Sequence, residues 1–517
     1  MGELWDKLSN LSKSNMYPFH MPGHKRNAFC GMDTALLFDH DITEIDDFDN
    51  LHDARDLLRT CQNRANDLYK AGETFSLVNG STCGVLSAIS AVTADGDTIL
   101  TARNCHKSLY HAAYLRNLNL RYLYPENIGG YDFCGAVTKA SVEEALGVNK
   151  DIKAVFITSP TYEGVYSDVR AIADVAHRHN IPLIVDEAHG AHLGIAKGMP
   201  EGAIAQGADI VIHSLHKTLP CITQSALLHV SGSYVDRDRL KRFLRIYQTS
   251  SPSYLMMASI DDGISYMTRY GDDFATKLLS YHDKILANTR KLKHLIVPDY
   301  SVIADPCKIV IACKDNSITG SDIYDHLRNR YALQPEMACK SYVLMIITGM
   351  DTLEGIERLI EAIKEIDKDI DKKINKDIDT EIGTEIGTVI EDKADLYDLY
   401  NAEDTKKQDD SSNAEDKINP GNLSIAESRT GSYTPCDIKM TIAKAWDTDH
   451  EEILLDKADG RIAADFVNLY PPGIPLVVPG EVITNKLIDN IKENLTEGLN
   501  VQGISEGRLI RVVKWGK

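Results

Sequence analysis

The sequence predicts an α/β fold, a mostly parallel sheet with helices on both faces. Two observations predict it. From about residue 75 to 230, short apolar runs alternate with amphipathic stretches, and each run ends in Gly, Pro, Ser or His before the chain turns back. In such sheets ligands bind beyond the carboxyl ends of the strands. Ser81, His106, Thr161, Asp186 and Lys217 all fall at such ends.

The elements follow in order. "TFSLVNG" leads into "STCGVLSAISAV", and "DTILTAR" leads into "KSLYHAAYLRNL". "KAVFITSP" precedes "VRAIADVAHRHN", after which come "IPLIVDEAHG" and "ADIVIHSLHK". This large unit is assigned residues 56–273, after an N-terminal segment, 1–55, expected to contribute to the active site or to a dimer contact. Residues 274–366 read as a helix followed by a smaller α/β unit ("SVIADPCKIVIAC", "YVLMIITG"). The stretch 367–425 is rich in Asp, Lys and Glu, poor in aromatics and partly repetitive ("TEIGTEIGT"). It reads as an acidic linker, helical early and disordered late. Order is expected to resume in a C-terminal α+β unit, 426–517.

The totals exclude several classes. At 517 residues the chain is too long for one core. A net charge of −20 opposes nucleic-acid binding, which depends on basic surface, and suits a cationic substrate. The ten cysteines contain no C-x-x-C pair, so reduced thiols in a cytoplasmic protein are expected rather than a disulfide framework or zinc ribbon. No signal peptide and no membrane-spanning apolar run is recognisable, and no membrane partner is expected.

"HSLHKTLPCITQS" (His213–Ser225) places Lys217 at the end of an apolar run, a poor position for lysine unless its amine is used or reaches solvent. "VDEAHGAH" (Val185–His192) carries the letters of a helicase box, but the sequence has no phosphate-binding G-x-x-x-x-G-K-[ST]. The spacing of Asp186, Glu187, His189 and His192 permits a metal site, although the run begins as a buried strand, not as the helix of H-E-x-x-H enzymes. A third reading fits more of the residues. An acid at one strand end, about thirty residues before a lysine at the next, suits pyridoxal phosphate: the lysine forms an imine with its aldehyde and the acid keeps its ring nitrogen protonated. "NGSTCG" puts Ser81, Thr82 and Cys83 at a strand-to-helix junction, where free N–H groups and the helix dipole would hold a phosphate. His106 could lie flat on the ring, and the Ser214 hydroxyl could reach the same phosphate. Each of these has an ordinary structural explanation when taken singly; their order and strand-end placement together do not.

"MPGHKRN", "NGSTCG", "RNCHKS", "SPTYEGVYSDV", "VDEAHGAHLG", "HSLHKTLPCITQSALLHV", "QTSSPSY" and "YPPGIPLVVPGE" together resemble the bacterial Orn/Lys/Arg decarboxylases. These are pyridoxal-phosphate enzymes of the aspartate-aminotransferase-like fold (fold type I), and the chain is similar to their short form, without the N-terminal wing domain. The resemblance covers nearly everything except 367–425. It implies that Lys217 is the imine-forming lysine and Asp186 the partner of the ring nitrogen. His106 would stack on the ring, with Ser81, Thr82 and Ser214 on the phosphate. It further implies His216 as a proton donor beside the imine, His189 near the ring hydroxyl, and Thr249 reaching the phosphate of a partner subunit. The expected activity is decarboxylation of arginine or lysine, then ornithine, in polyamine metabolism, by a homodimer or larger assembly. Glu44, Asp46, Asp47, Asp49 and Glu481 are the candidate partners for the substrate's distal cation. The rivals are transamination or a Cα–Cβ lyase reaction on the same cofactor, and a metal-dependent hydrolase using His189 and His192.

Overall fold

A computed structural model of the chain describes residues 15–19, 25, 42–45, 47–125, 128, 134–299, 303–314, 317–391, 435–470, 473–505 and 507–514, the side chains of 375–391 excepted. Strand β1 is the short Tyr17–Phe19. The central sheet comprises β2 (Glu73–Leu77), β3 (Thr98–Ala102), β4 (Asn119–Leu123), β5 (Ile152–Thr158), β6 (Leu183–Asp186), β7 (Ile210–Ser214) and β8 (Ala226–Val230). Its order is β2-β8-β7-β6-β5-β3-β4. β8 pairs antiparallel with both β2 and β7, and the other pairings are parallel. Only β8 therefore runs against the rest, and the carboxyl ends of β2, β3, β5, β6 and β7 share one edge. Every residue of β3, β6, β7 and β8 is buried, as expected of strands covered on both faces. The helix Gly80–Val92 lies close against the sheet through Gly84, where a Cβ would stand 2.7 Å from Leu77 Cδ1 and 3.1 Å from Ile212 Cγ2.

The smaller unit contains β9 (Leu295–Ile296), β10 (Lys308–Cys313), β11 (Leu333–Pro335), β12 (Met337–Ala338) and β13 (Tyr342–Ile346). Four of these form an antiparallel sheet, β12-β13-β10-β9, while β1 pairs in parallel with β11. Long helices Tyr254–Thr289 and Leu353–Glu391 pack into the same core. The expected boundaries at 273/274 and 366/367 both fall inside these helices. The second is a correction to the linker reading. Ile363, Ile366 and Ile370 continue one buried apolar face past 366, and buried Asp367 accepts the backbone N–H groups of Lys293, His294 and Leu295 at 2.8–3.0 Å. Residues 392–425, the remainder of that stretch, lie outside the described residues.

The C-terminal unit carries β14 (His450–Leu454), β15 (Val467–Leu469), β16 (Ile474–Val477), β17 (Val501–Gln502) and β18 (Leu509–Val513), with the helix Asn485–Thr496. β14 pairs with β18, and β15 lies between β16 and β17. Arg103, just past β3, docks this unit: it donates to the carbonyls of Pro475 at 2.7 Å and Leu476 at 3.1 Å, and pairs with Glu481 at 3.1 Å. Among the described residues no helix is long and apolar enough to cross a membrane.

Candidate active site

The shared strand edge gathers the chemistry. β7 ends at Ser214 and passes directly into the single turn Leu215–Thr218, which projects Lys217. β6, beside β7, ends at Asp186. Asp186 accepts the N–H of Ala188 at 3.1 Å. Burial pushes its carboxyl above the usual range, opposed by Lys217, that N–H and His213. Lys217 is lowered to about 8 by burial, with Asp186 opposing the fall and Lys308 adding to it. About a tenth of its amine is thus free base at pH 7, far more than in an ordinary lysine, and free base is the form that attacks.

The phosphate expectation has geometric support. The helix Gly80–Val92 starts at this edge, and Ser81 Oγ accepts a hydrogen bond from Ser214 Oγ at 2.8 Å across 133 positions of sequence. Gly80, at φ +70°, turns the chain into that helix in a conformation other residues rarely adopt. Thr82 is exposed beside Ser81. Cys83 lies at the same helix start. Its thiol donates to the Gly80 carbonyl at 3.1 Å and packs in the sheet core, where burial pushes it up to about 12, so only its backbone N–H is at the helix start.

His106 caps the helix Lys107–Leu115, its Nδ1 accepting the N–H of Ser108 at 3.2 Å. Burial, then the charge of Lys217, hold it down to about 3, so the ring is neutral. His216 donates Nδ1–H to the Ser225 carbonyl at 3.0 Å, and burial lowers it to about 4. The one proton of this neutral imidazole is on a carbonyl, which leaves Lys217 the better placed of the two to give a proton to Cα. The Thr161 hydroxyl accepts Val165 N–H at 3.1 Å within its own loop. Thr249 is exposed, and its hydroxyl accepts Ser251 N–H at 3.2 Å.

His189 sits between two lysines. Its Nε2 is 2.9 Å from Lys217 Nζ and its Nδ1 is 2.7 Å from Lys308 Nζ. Tyr162 meets the ring edge-on at 4.6 Å between centroids and donates its hydroxyl to Glu336. Lys308, Glu336 and Tyr162 were missed in the sequence. The signal was present for Lys308, a lysine opening the apolar run "KIVIAC", the same anomaly that singles out Lys217.

The metal reading fails on geometry, because its four residues face four ways. Asp186 takes Ala188 N–H, Glu187 pairs with His213 at 2.8 Å, His189 meets the lysines, and His192 pairs with Asp305 at 2.9 Å. Two of the acids offered for a distal cation are committed elsewhere. Glu481 is buried against Arg103, and Asp49 accepts the N–H groups of Asn50, Arg55, Asp56 and Leu58. Asp46 lies outside the described residues.

The donor set fits pyridoxal phosphate: a buried amine with a lowered pKa for the aldehyde, a buried carboxylate for the ring nitrogen, and paired hydroxyls at a helix start for the phosphate. Comparisons with known proteins agree. Residues 3–461 match the family model "Orn/Lys/Arg decarboxylase, major domain", and 432–496 match that family's C-terminal domain. The arginine decarboxylase of Bacillus subtilis (strain 168) is 29% identical over 527 residues, covering 99% of this chain and 97% of its own. The inducible lysine decarboxylase of Escherichia coli (strain K12) is 22% identical over 479 residues, covering 81% of this chain and 65% of its own. The solved structure of the Francisella novicida lysine decarboxylase LdcF shares the fold at a TM-score of 0.69 and 19% identity, covering 90% of this chain and 73% of its own. By the match of its major domain the chain belongs to the Orn/Lys/Arg decarboxylase family, pyridoxal-phosphate-dependent decarboxylases of fold type I.

Proposed function

We propose that the protein decarboxylates arginine, with lysine next and ornithine last, to the corresponding amine, in the supply of polyamines. The observation that carries the chemistry is the amine of Lys217, lowered by burial to about 8 and set at a strand end beside buried Asp186. The order of substrates rests on the relatives. Those named arginine decarboxylase are 27–29% identical over nearly the whole chain, and the inducible lysine decarboxylase of Escherichia coli is 22% identical over less of it.

Bound pyridoxal phosphate supplies an electron sink for the pair released when the Cα–carboxylate bond breaks. Ser81, Thr82, Ser214 and the N–H groups opening the helix Gly80–Val92 hold its phosphate, and Asp186 keeps a proton on its ring nitrogen. His106, neutral, offers a flat face to the ring rather than a charge. Lys217 delivers the proton to Cα, because His216 is committed to Ser225. Thr249, exposed on its own subunit, serves the site of a partner in a cytoplasmic homodimer or larger assembly. Glu44, Asp46 and Asp47 are the acids left for the substrate's distal cation. A carboxylate there would offset the cost of burying that charge.

The test is carbon dioxide release by purified protein supplied with pyridoxal phosphate and, in turn, arginine, lysine and ornithine, with the products identified. Agmatine formed faster than cadaverine or putrescine supports the reading. A 2-oxo acid as the main product would make the protein an aminotransferase instead.

A further inference from the structure

His189 contacts two amines through its two ring nitrogens, and a neutral imidazole owns a single N–H. Burial holds His189 well below its ordinary pKa, so the ring is neutral. One of the two lysines must therefore donate to it and the other accept from it. The surroundings decide which. Burial lowers Lys308 as it does Lys217, but Lys308 faces Asp305, Glu336 and Glu163, lies over the Tyr162 ring at 5.6 Å, and shares its pocket with Cys307 and Lys25. Lys217 faces Asp186 and Glu336 against the opposing charge of Lys308, with neutral His106 and His216 nearby. The lysine with more carboxylates keeps its proton.

We propose that Lys308 is a positioning residue for Lys217: its ammonium donates to Nδ1 of His189 and fixes the proton on Nε2, which then donates to Lys217 and favours the free-base form of that amine. A hydrogen bond at one ring nitrogen sets the tautomer at the other. The step so prepared balances. The Lys217 lone pair forms a C–N bond to the cofactor's aldehyde carbon, and the amine's two protons leave with the carbonyl oxygen as water. The close seat of Lys308 is built into the fold. Gly164, at φ +104°, lies where a Cβ would stand 2.6 Å from Lys308 Cγ.

The inference rests on Lys217 as the imine-forming residue, and the test separates the two. Full-length protein freed of cofactor is recombined with pyridoxal phosphate across pH 6–10 (an interval bracketing ordinary lysine behaviour in buried sites, roughly), and the rate of appearance of visible absorbance is followed. In wild type the rate rises through a midpoint at about 8, the value burial gives Lys217. Lys308→Met removes a like charge and frees the tautomer. Both effects favour the Lys217 ammonium, so the midpoint moves up by about one unit and the rate at pH 7 falls about tenfold. Lys308→Arg leaves the midpoint in place. A purely structural Lys308 would change stability and leave the midpoint unmoved, which overturns the proposal. Should Lys308→Met fail to fold, Lys308→Gln decides: a rise in the midpoint supports the proposal, and no rise overturns it. Visible absorbance forming in Lys217→Ala would instead overturn the reading beneath it.

Discussion

Replacing Arg103 by Met attacks the joint between the strand edge and the C-terminal unit. Arg103 and Glu481 are 3% and 1% exposed, and the guanidinium meets the carboxylate at 3.1 Å, two carbonyls at 2.7 and 3.1 Å, and the Tyr110 hydroxyl at 3.3 Å. A buried ion pair adds little net stability, but removing one partner strands the other charge, at about 3–5 kcal/mol. Glu481 would keep only the Val478 N–H at 2.9 Å on one oxygen, while its Oε1 has no partner among the described residues. At about 1.4 kcal/mol per decade, amide hydrogen exchange over residues 474–482 should lose two to nearly four decades of protection. Adding Glu481→Gln should recover more than half, because the stranded charge, not the lost bonds, carries most of the cost. Hydrogen exchange with mass spectrometry reads this segment directly. A loss under tenfold in Arg103→Met, or a double variant worse than the single, would refute the reasoning. His106 is three residues downstream, so cofactor affinity should fall in the same variant and recover in the double.

Three further outcomes follow from the site. Ser214→Ala removes one hydroxyl of the Ser81–Ser214 pair and should weaken pyridoxal phosphate binding about tenfold or more, as for a hydrogen bond to a charged group, while binding of pyridoxal, which has no phosphate, stays unchanged in a spectroscopic titration. His106→Phe should keep cofactor affinity within about threefold of wild type and His106→Ala should lose up to about tenfold, because a ring stack and not a charge is at stake. Gly164→Ala must shift either its own backbone or Lys308, at about 1–3 kcal/mol, seen as a lowered thermal midpoint together with slower recombination at pH 7.

How far the sequence reaches depends on where partners come from. β2, β3, β5, β6 and β7 are legible because each is an apolar run closed by a turn residue. β4 is not, since Asn119 and Arg121 point to solvent at the sheet edge and break the run. β8 escapes because nothing in "ALLHV" records that it runs against its neighbours. Lys217, Asp186, Ser81 and Ser214 are found from strand ends alone, because one sheet edge collects them whatever the loops do. Lys308 is not, because it enters from the smaller unit, 119 positions from His189, and local pattern carries no such separation. Glu481 and Asp49 show the opposite failure. A sequence displays their charge but not the Arg103 or the four N–H groups that consume it. The early part of 367–425 reads as a linker because charged residues outnumber its isoleucines, yet Ile370 and Ile374 stand at helical spacing and pack against the core.

The central claim is that the amine of residue 217 bonds the cofactor. Visible absorption of purified wild type and Lys217→Ala, each incubated with pyridoxal phosphate and then desalted, tests it most directly. The account predicts a retained visible band in wild type and none in the variant, with carbon dioxide release from arginine lost alongside it. A retained band in Lys217→Ala, or its absence in wild type, would contradict it.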